Sequence, residues 1–364
     1  MIAVDALIVG AGPAGAVCAL NLAPFRRVLM VDRRPVPLSR IGESLPGAAR
    51  RLLVDMGIWE DFLGDGHAPC HAYRSIWGGP EPIERDTLRD PDGCGWHLDR
   101  VRFEMRLRAI AVARGAALLA PAQPVNLERK TEGWRVSLKL PNRLLTARAR
   151  LLVDAGGKSS LLLRKFGRRR LAESRLICGW VACVDATLPR GLTQIEAEAE
   201  GWWYASPVPS GGGVLAFHTD ADLPAARIAR STTALLARAK HLPMLGEFVA
   251  PSRWREPIGG FCAAHGGVVD EPVGPDWASV GDAALNYDPL SSQGLFNALY
   301  TGLAAAEAVD RNLSGDPKAL LAYAEELRNV RMAYETHVAA WYDMEHRWPE
   351  SLFWRRRQSG PKLG

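Results

Sequence analysis

The 364-residue sequence is short of several things, and each shortage narrows its class. No stretch reaches the roughly 18 to 20 unbroken apolar residues of a membrane helix, so no membrane partner is expected. Six cysteines are dispersed (Cys18, Cys70, Cys94, Cys178, Cys183 and Cys262), and none stands in a CxxC pair. Reduced, mostly buried thiols fit that spacing better than a zinc site or a disulfide frame. No basic leader with a cleavage site precedes the first apolar run, so a cytoplasmic location is the expectation. Charge of one sign is scarce as well: 45 basic residues face 40 acidic ones, a formal net charge of +5. The basic runs at 164–170 and 354–358 come without a nucleic-acid module, and no nucleic-acid partner is expected. "HAPCH" (67–71) resembles a metal cluster but has no further ligands at metal spacing, so the expected metal count is none.

What is present is a glycine-punctuated α/β pattern. "AVDALIV" (3–9) is an apolar run of strand type, "GAGPAG" follows, and "AVCALNLA" has a helical pattern. "RRVLMVDRR" is a second strand ending in an acid, which completes a βαβ unit with a parallel sheet. Gly10, Gly12 and Gly15 form GxGxxG at the strand-to-helix junction. Glycines there permit a tight turn and close backbone approach, and the helix start offers N–H groups to a pyrophosphate. Asp32 closes the second strand where its carboxylate can accept hydrogen bonds from a ribose, with Arg33 beside it in the expected cofactor set.

A second signal lies far away, in "SVGDAALNYDPLSSQGLFNAL" (279–299). Asp282 is expected to end a strand, Pro289 to shape a loop, and Gly294 and Leu295 to open a helix. The amides of that helix start suit the carbonyl edge of an isoalloxazine, stabilising the anion it becomes on reduction. Two remote cradles imply an extended cofactor, and FAD fits. Between the cradles, "GESLPGAARRLLVDMGI" (42–58) reads as a helix capped by Ser44 with Pro46 in its first turn. "DRVRFEMRLRAIAVARGA" (99–116) reads as a helix burying Phe103, Leu107, Ile110 and Ala111. Residues 175–262 are β-rich with a helix near 222–241, and 316–345 form a long terminal helix.

The fold expectation is therefore α/β: a discontinuous Rossmann-like FAD-binding domain (1–70, 98–170 and 266–315). A β-sheet substrate domain (71–97 and 171–265) is inserted in it, and a C-terminal helical segment with a basic tail follows (316–364).

With "GAGPAG", "RIGESLP" (40–46), "DRVRFEMRL" (99–107), "LLVDAGGKSS" (151–160) and "GDAALNYDPLSSQG" in place, the chain resembles the FAD-dependent aromatic hydroxylases. It resembles equally their relatives, the flavin-dependent halogenases and geranylgeranyl reductases. The resemblance implies that Arg40 and Arg100 contact FAD, that Asp32 and Asp282 hold its ribose and ribityl hydroxyls, and that Asp154 matches the family's DG-type motif. "DAGG" departs from the usual wording of that motif. Halogenases of this family carry a relay lysine shortly after the segment matching "GIWE", and residues 57–77 here contain no lysine. Halogenation is accordingly disfavoured.

Within the superfamily the chain looks most like the flavoprotein monooxygenases of tryptophylquinone biogenesis, of the quinohemoprotein amine dehydrogenase maturation type. That resemblance implies a protein or peptide substrate containing tryptophan, O2 as oxidant, and reducing equivalents from NAD(P)H or an external flavin reductase. The oxygen donor would be a flavin C4a-hydroperoxide, which survives only where water is excluded. "GWWYASPVP" (201–209) would supply a wall for the aromatic substrate from Trp202, Trp203, Tyr204 and Pro207, with Trp203 facing in and Trp202 facing out, and Pro289 is a further expected substrate residue. Hydroxylation also needs a base, and His71, His218 and Asp288 are the candidates, with His67 and His265 as further titratable groups. A monomer is expected. The alternatives are an isoprenoid reductase and a non-catalytic flavin-binding assembly factor.

Overall fold

A computed structural model describes the chain except for residues 88, 161, 173, 184–187, 250–257 and 359–364, the last of which end the expected basic tail. Continuous apolar runs build the first sheet, as expected for strands covered on both faces. Strands Trp277–Ser279, Arg143–Asp154, Ile2–Val9, Val28–Val31 and Ala117–Leu119 lie side by side and parallel. The antiparallel strands Gln123–Lys130 and Gly133–Leu140 extend from Arg143–Asp154. On one face, helices Pro13–Leu22, Arg100–Ala113 and Gly294–Leu313 join a core that includes Ile8, Val17, Phe103, Leu107 and Leu299.

Helices Pro13–Leu22 and Gly294–Leu313 approach closely because small residues face each other. A Cβ on Gly302 would stand 2.6 Å from the Ala14 carbonyl oxygen. The second helix thus continues about 12 Å beyond that contact to its own start, at 1.5 Å per residue.

The second sheet has seven strands: Ile258–Ala263, Leu176–Cys183, Gly213–Asp220, Gly201–Pro207, Leu192–Glu198, Ala72–Ile76 and Ile83–Asp86, in that spatial order. Side chains alternate between its faces. The outer face, with Trp203, Phe217, Leu215 and Val181, packs under the short helices Ala226–Ala229 and Thr232–Ala239. The inner face, with Trp202, Tyr204, Cys178 and Trp180, packs against the C-terminal helices Ala319–Asp343 and Leu352–Gln358 through Tyr342, Phe353 and Trp354.

Three local readings differ from expectation. Ser44 caps no helix: Ser44–Leu45 is a short strand paired with His97 and Trp96, and the helix begins at Ala49. Gly47 presses against the carbonyl of Gly93, and Pro46 directs the chain out of that strand pair. The helix expected near 222–241 is two helices, split by Arg230 and restarted by Ser231, whose hydroxyl accepts from the Ala234 amide. Asp282 does not end a strand: the strand stops at Ser279, and Asp282 sits in a 3-10 turn, Gly281–Ala283, entered through Gly281 at φ +56.

Candidate functional site: a cofactor cradle and a buried polar cluster

The glycine turn is built by steric exclusion. A Cβ on Gly10 would lie 2.2 Å from the Ala155 carbonyl oxygen, and one on Gly15 would lie 2.0 Å from that of Gly10. Gly12 differs, because a Cβ there meets nothing within 4 Å. Gly12 caps helix Pro13–Leu22 without a side chain of its own, so the first helical amides face open space. Gly294, at the start of the second helix, is equally open. Two unobstructed helix starts, on helices packed together, fit a long anionic cofactor with a polar group at each end.

Asp32 accepts from the amides of Ala11 and Arg34, both at 2.8 Å, and pairs with Arg108 at 3.2 Å. Arg108 also donates to the Ala11 and Arg34 carbonyls. This buried arginine escaped the sequence reading, although it lies one residue beyond "DRVRFEMRL". Arg33 is exposed beside the cradle. Arg40 and Arg100 converge on a single buried carboxylate, Glu104, at 2.8 and 2.7 Å, and Arg100 donates to the Gly42 carbonyl. The two arginines therefore brace the segment 40–43, with part of Arg40 left exposed.

Asp154 is fully buried, and burial raises its pKa above the ordinary carboxylate range. Its oxygens accept from the Gly156 amide and the Ser160 hydroxyl, so it shapes the "GGKSS" turn from within. Asp282 is half-buried, within electrostatic reach of Arg170. Leu295 joins the core that also contains Leu45, and strand Ser44–Leu45 packs against the second helix.

That segment delivers Glu43 to the inner face of the seven-stranded sheet. Glu43 is 2 % exposed; Tyr204 donates to its Oε1 at 2.7 Å, Ser206 donates to the same oxygen, and the Gly42 amide donates to Oε2. Burial, followed by the Glu43 charge, pushes the Tyr204 hydroxyl far above its ordinary range and keeps it a donor. His97 lies nearby, bonded to Thr193 at 2.8 Å, with burial lowering its pKa to about 4.

The adjoining row runs Trp202, His218, Cys178, Cys262 across four strands. The Trp202 and His218 rings stack with centroids 3.7 Å apart. Burial lowers His218 to about 3, so its ring is neutral, and its Nδ1 is buried with no hydrogen-bond partner among the described residues. The Trp202 indole donates to the Tyr342 hydroxyl at 3.2 Å, which donates to Asp288 at 2.8 Å. The other Asp288 oxygen accepts from the Leu290 amide at 2.9 Å and caps the turn begun by Pro289. Lys158 reaches this region from the "GGKSS" loop, donating to the His265 carbonyl at 3.4 Å with its charge felt at His218 and Asp288.

Several expected site residues stand elsewhere. Trp203 does not face in and Trp202 does not face out: strand alternation sends Trp203 into the opposite core, stacked on Phe217 at 4.5 Å. His71 is exposed on the turn before Ala72–Ile76, its ring against Gly191, and does not join His218 and Asp288. His67 packs between Phe62 and Phe103 and accepts from the Asp99 amide, a structural place. Asp288 has both oxygens committed, which suits holding a turn better than taking a proton. Pro289 is exposed. The basic tail is also occupied: Arg356 pairs with Asp220 and Asp222, and Arg357 pairs with Asp220 while covering the Phe353 ring at 3.7 Å.

Comparison with known proteins agrees with the cradle. Residues 3–241 match the model of the FAD binding domain family. The FAD-dependent oxidoreductase LodB of Marinomonas mediterranea is 26% identical over 361 residues, which is 98% of this chain and 97% of LodB. Among solved structures, the myxobacterial chondrochloren halogenase CndH has a TM-score of 0.88 at 23% identity, covering 98% of this chain and 86% of that one. The peptidyl tryptophan dihydroxylase QhpG, essential for tryptophylquinone cofactor biogenesis, has a TM-score of 0.79 at 22% identity, covering 99% and 80%. The open glycine starts and the family match together make this chain a flavin-dependent oxidoreductase of the FAD binding domain family, with a fold shared with those two solved structures.

Proposed function

We propose that the protein is a monooxygenase that hydroxylates an aromatic ring, a tryptophan side chain of a partner polypeptide. The observation that carries the reading is the buried Glu43–Tyr204–Ser206 cluster, on a segment that packs against the helix opened at Gly294. FAD, once reduced by NAD(P)H or by flavin from a separate reductase, supplies the activation of O2. Gly10 to Gly15 and Asp32 would hold its adenosine and pyrophosphate portion, and the helix start at Gly294 its ring end.

Around that group the chain's own residues exclude water and handle protons. Trp202, Trp180 and Tyr342 make the inner face apolar apart from its hydrogen-bonded groups. Glu43 takes the proton released as the hydroxylated ring regains aromaticity, while Tyr204 and Ser206 fix its carboxylate in place. His218, held neutral, offers its unpartnered Nδ1 to a ring N–H of the substrate. The tryptophan dihydroxylase named above supports the choice of substrate class.

The test is co-expression with a tryptophan-containing partner polypeptide, followed by intact-mass analysis of that partner. Gain of one or two oxygen atoms, lost in Glu43→Gln that still retains FAD, is the expected outcome. An unchanged partner mass with reduced flavin and O2 supplied overturns the reading. Lys158 gives halogenation a foothold, because its ammonium lies near the same row; a halogen mass increment in the presence of chloride or bromide would assign that reaction instead.

A further inference from the structure

Cys178 and Cys262 stand directly opposite each other on the antiparallel strands Leu176–Cys183 and Ile258–Ala263. Opposed residues in such a pair have Cα atoms about 4.5 to 5.5 Å apart, inside the roughly 4.4 to 6.8 Å that a disulfide spans. Both thiols are free, and each lies within electrostatic reach of the other. The two residues differ in access: Cys178 is 2 % exposed, whereas Cys262 is exposed on the edge strand. They extend the Trp202–His218 row, so they border the chamber proposed for oxygen chemistry.

We propose that Cys178 and Cys262 form a redox-active dithiol that consumes hydrogen peroxide. The Cys262 thiolate attacks the peroxide O–O bond, giving a sulfenic acid and, with one proton, water. The Cys178 thiol then displaces the hydroxyl from that sulfur, forming the Cys178–Cys262 disulfide and a second water. Two electrons pass from the two thiols to peroxide, and a low-molecular-weight thiol returns the pair to the dithiol by exchange.

The roles follow from the surroundings. The neighbouring Cys178 thiol and the charge of Lys158 lower the Cys262 pKa. The same contact raises Cys178, which therefore stays protonated as the resolving thiol. The source of peroxide rests on the monooxygenase reading, since a flavin that activates O2 releases peroxide whenever substrate is missing. The thiol chemistry itself does not depend on it.

The experiment treats purified, FAD-loaded full chain with stoichiometric hydrogen peroxide, then alkylates it and maps peptides without reduction. The expected result is one cross-linked pair through Cys178 and Cys262, with loss of two hydrogens and two alkylatable thiols, reversed by dithiothreitol. In Cys178→Ser, dimedone should label Cys262, an adduct the wild type lacks. Both cysteines remaining alkylatable, or a disulfide formed through Cys94 instead, overturns the inference. No substrate or turnover enters the assay. A normal peroxide response with an unmodified partner polypeptide removes only the monooxygenase reading; the reverse pair of results removes only the dithiol.

Discussion

The two helix starts and the inner sheet face treat space in opposite ways. At Gly12 and Gly294 the chain leaves room that an added Cβ would enter without touching anything, whereas the sheet face fills its own volume with Trp202, Tyr204, His218 and Tyr342. A cofactor site has to exist before its ligand arrives, and glycine achieves this by removing side chains. The proposed oxygen site has the opposite need, to hold water out, and it does so with packed rings, among which Trp202, Tyr342 and Asp288 bond to one another. The difference predicts that substitutions in the first region separate binding from folding, and that those in the second couple chemistry to packing.

The sharpest break in this comparison lies within the glycine turn. Gly15→Val drives a side chain into the Gly10 carbonyl and should abolish cooperative unfolding, a loss of more than about 4 kcal/mol. Gly12→Val should leave the thermal melt of the apoprotein nearly unchanged and abolish FAD retention. Circular dichroism melts and flavin absorbance read the two effects independently, and parallel losses in both variants would contradict the open cradle.

Next come the paired tryptophans. Trp203→Ala empties a packed core and should cost about 3 to 5 kcal/mol in denaturant unfolding. Trp202→Phe keeps most of the packing and removes only the indole donor to Tyr342, so its cost should stay near 1 kcal/mol. Glu43→Gln should lower the oxygenation rate by roughly a hundredfold with FAD affinity unchanged, as read by single-turnover product formation.

The smallest expected effect is on pH. His97 and His218 are held neutral with pKa values lowered to about 4 and about 3. Their contribution is present above the ordinary histidine pKa and disappears as pH falls toward those values, because only the unfolded chain gains the protons. Burial raises Asp154 and Asp288 and acts in the other direction, adding stability as pH falls. The comparison therefore has to be differential: the unfolding free energy of His97→Gln should fall less between pH 7 and pH 4.5 than that of the wild type, by a difference on the order of 1 kcal/mol.

How far the sequence could be read follows the same division. Gly10, Gly12, Gly15 and Asp32 were legible because a phosphate turn demands particular backbone conformations, and only certain residues supply them. The helix at Gly294 was legible for a similar reason. Trp202 and Trp203 were legible as neighbours on opposite faces, yet which face meets the chamber depends on which helices cover the sheet, and that information sits more than a hundred residues away. Glu43, Lys158 and Tyr342 come from three separate segments, so no spacing announces that each reaches the region of the inner sheet face. Glu43 was nevertheless in view inside "RIGESLP". A helical reading of 42–58 concealed its role, since Ser44 and Pro46 imitate a helix start while the chain is pairing with Trp96 and His97.

The inner sheet face is sealed late in the chain. Trp354 donates to the Glu198 carbonyl, and Arg357 grips Asp220 beneath the Phe353 ring. During synthesis the glycine turn and all seven strands of the substrate sheet leave the ribosome well before these residues do. A nascent chain stopped short of residue 352 would thus carry a complete dinucleotide turn beside a wet, unroofed sheet. Under the monooxygenase reading, flavin seated in such a fragment would turn over oxygen with nothing to keep solvent away, and faithful coupling would begin only when the final helix docks.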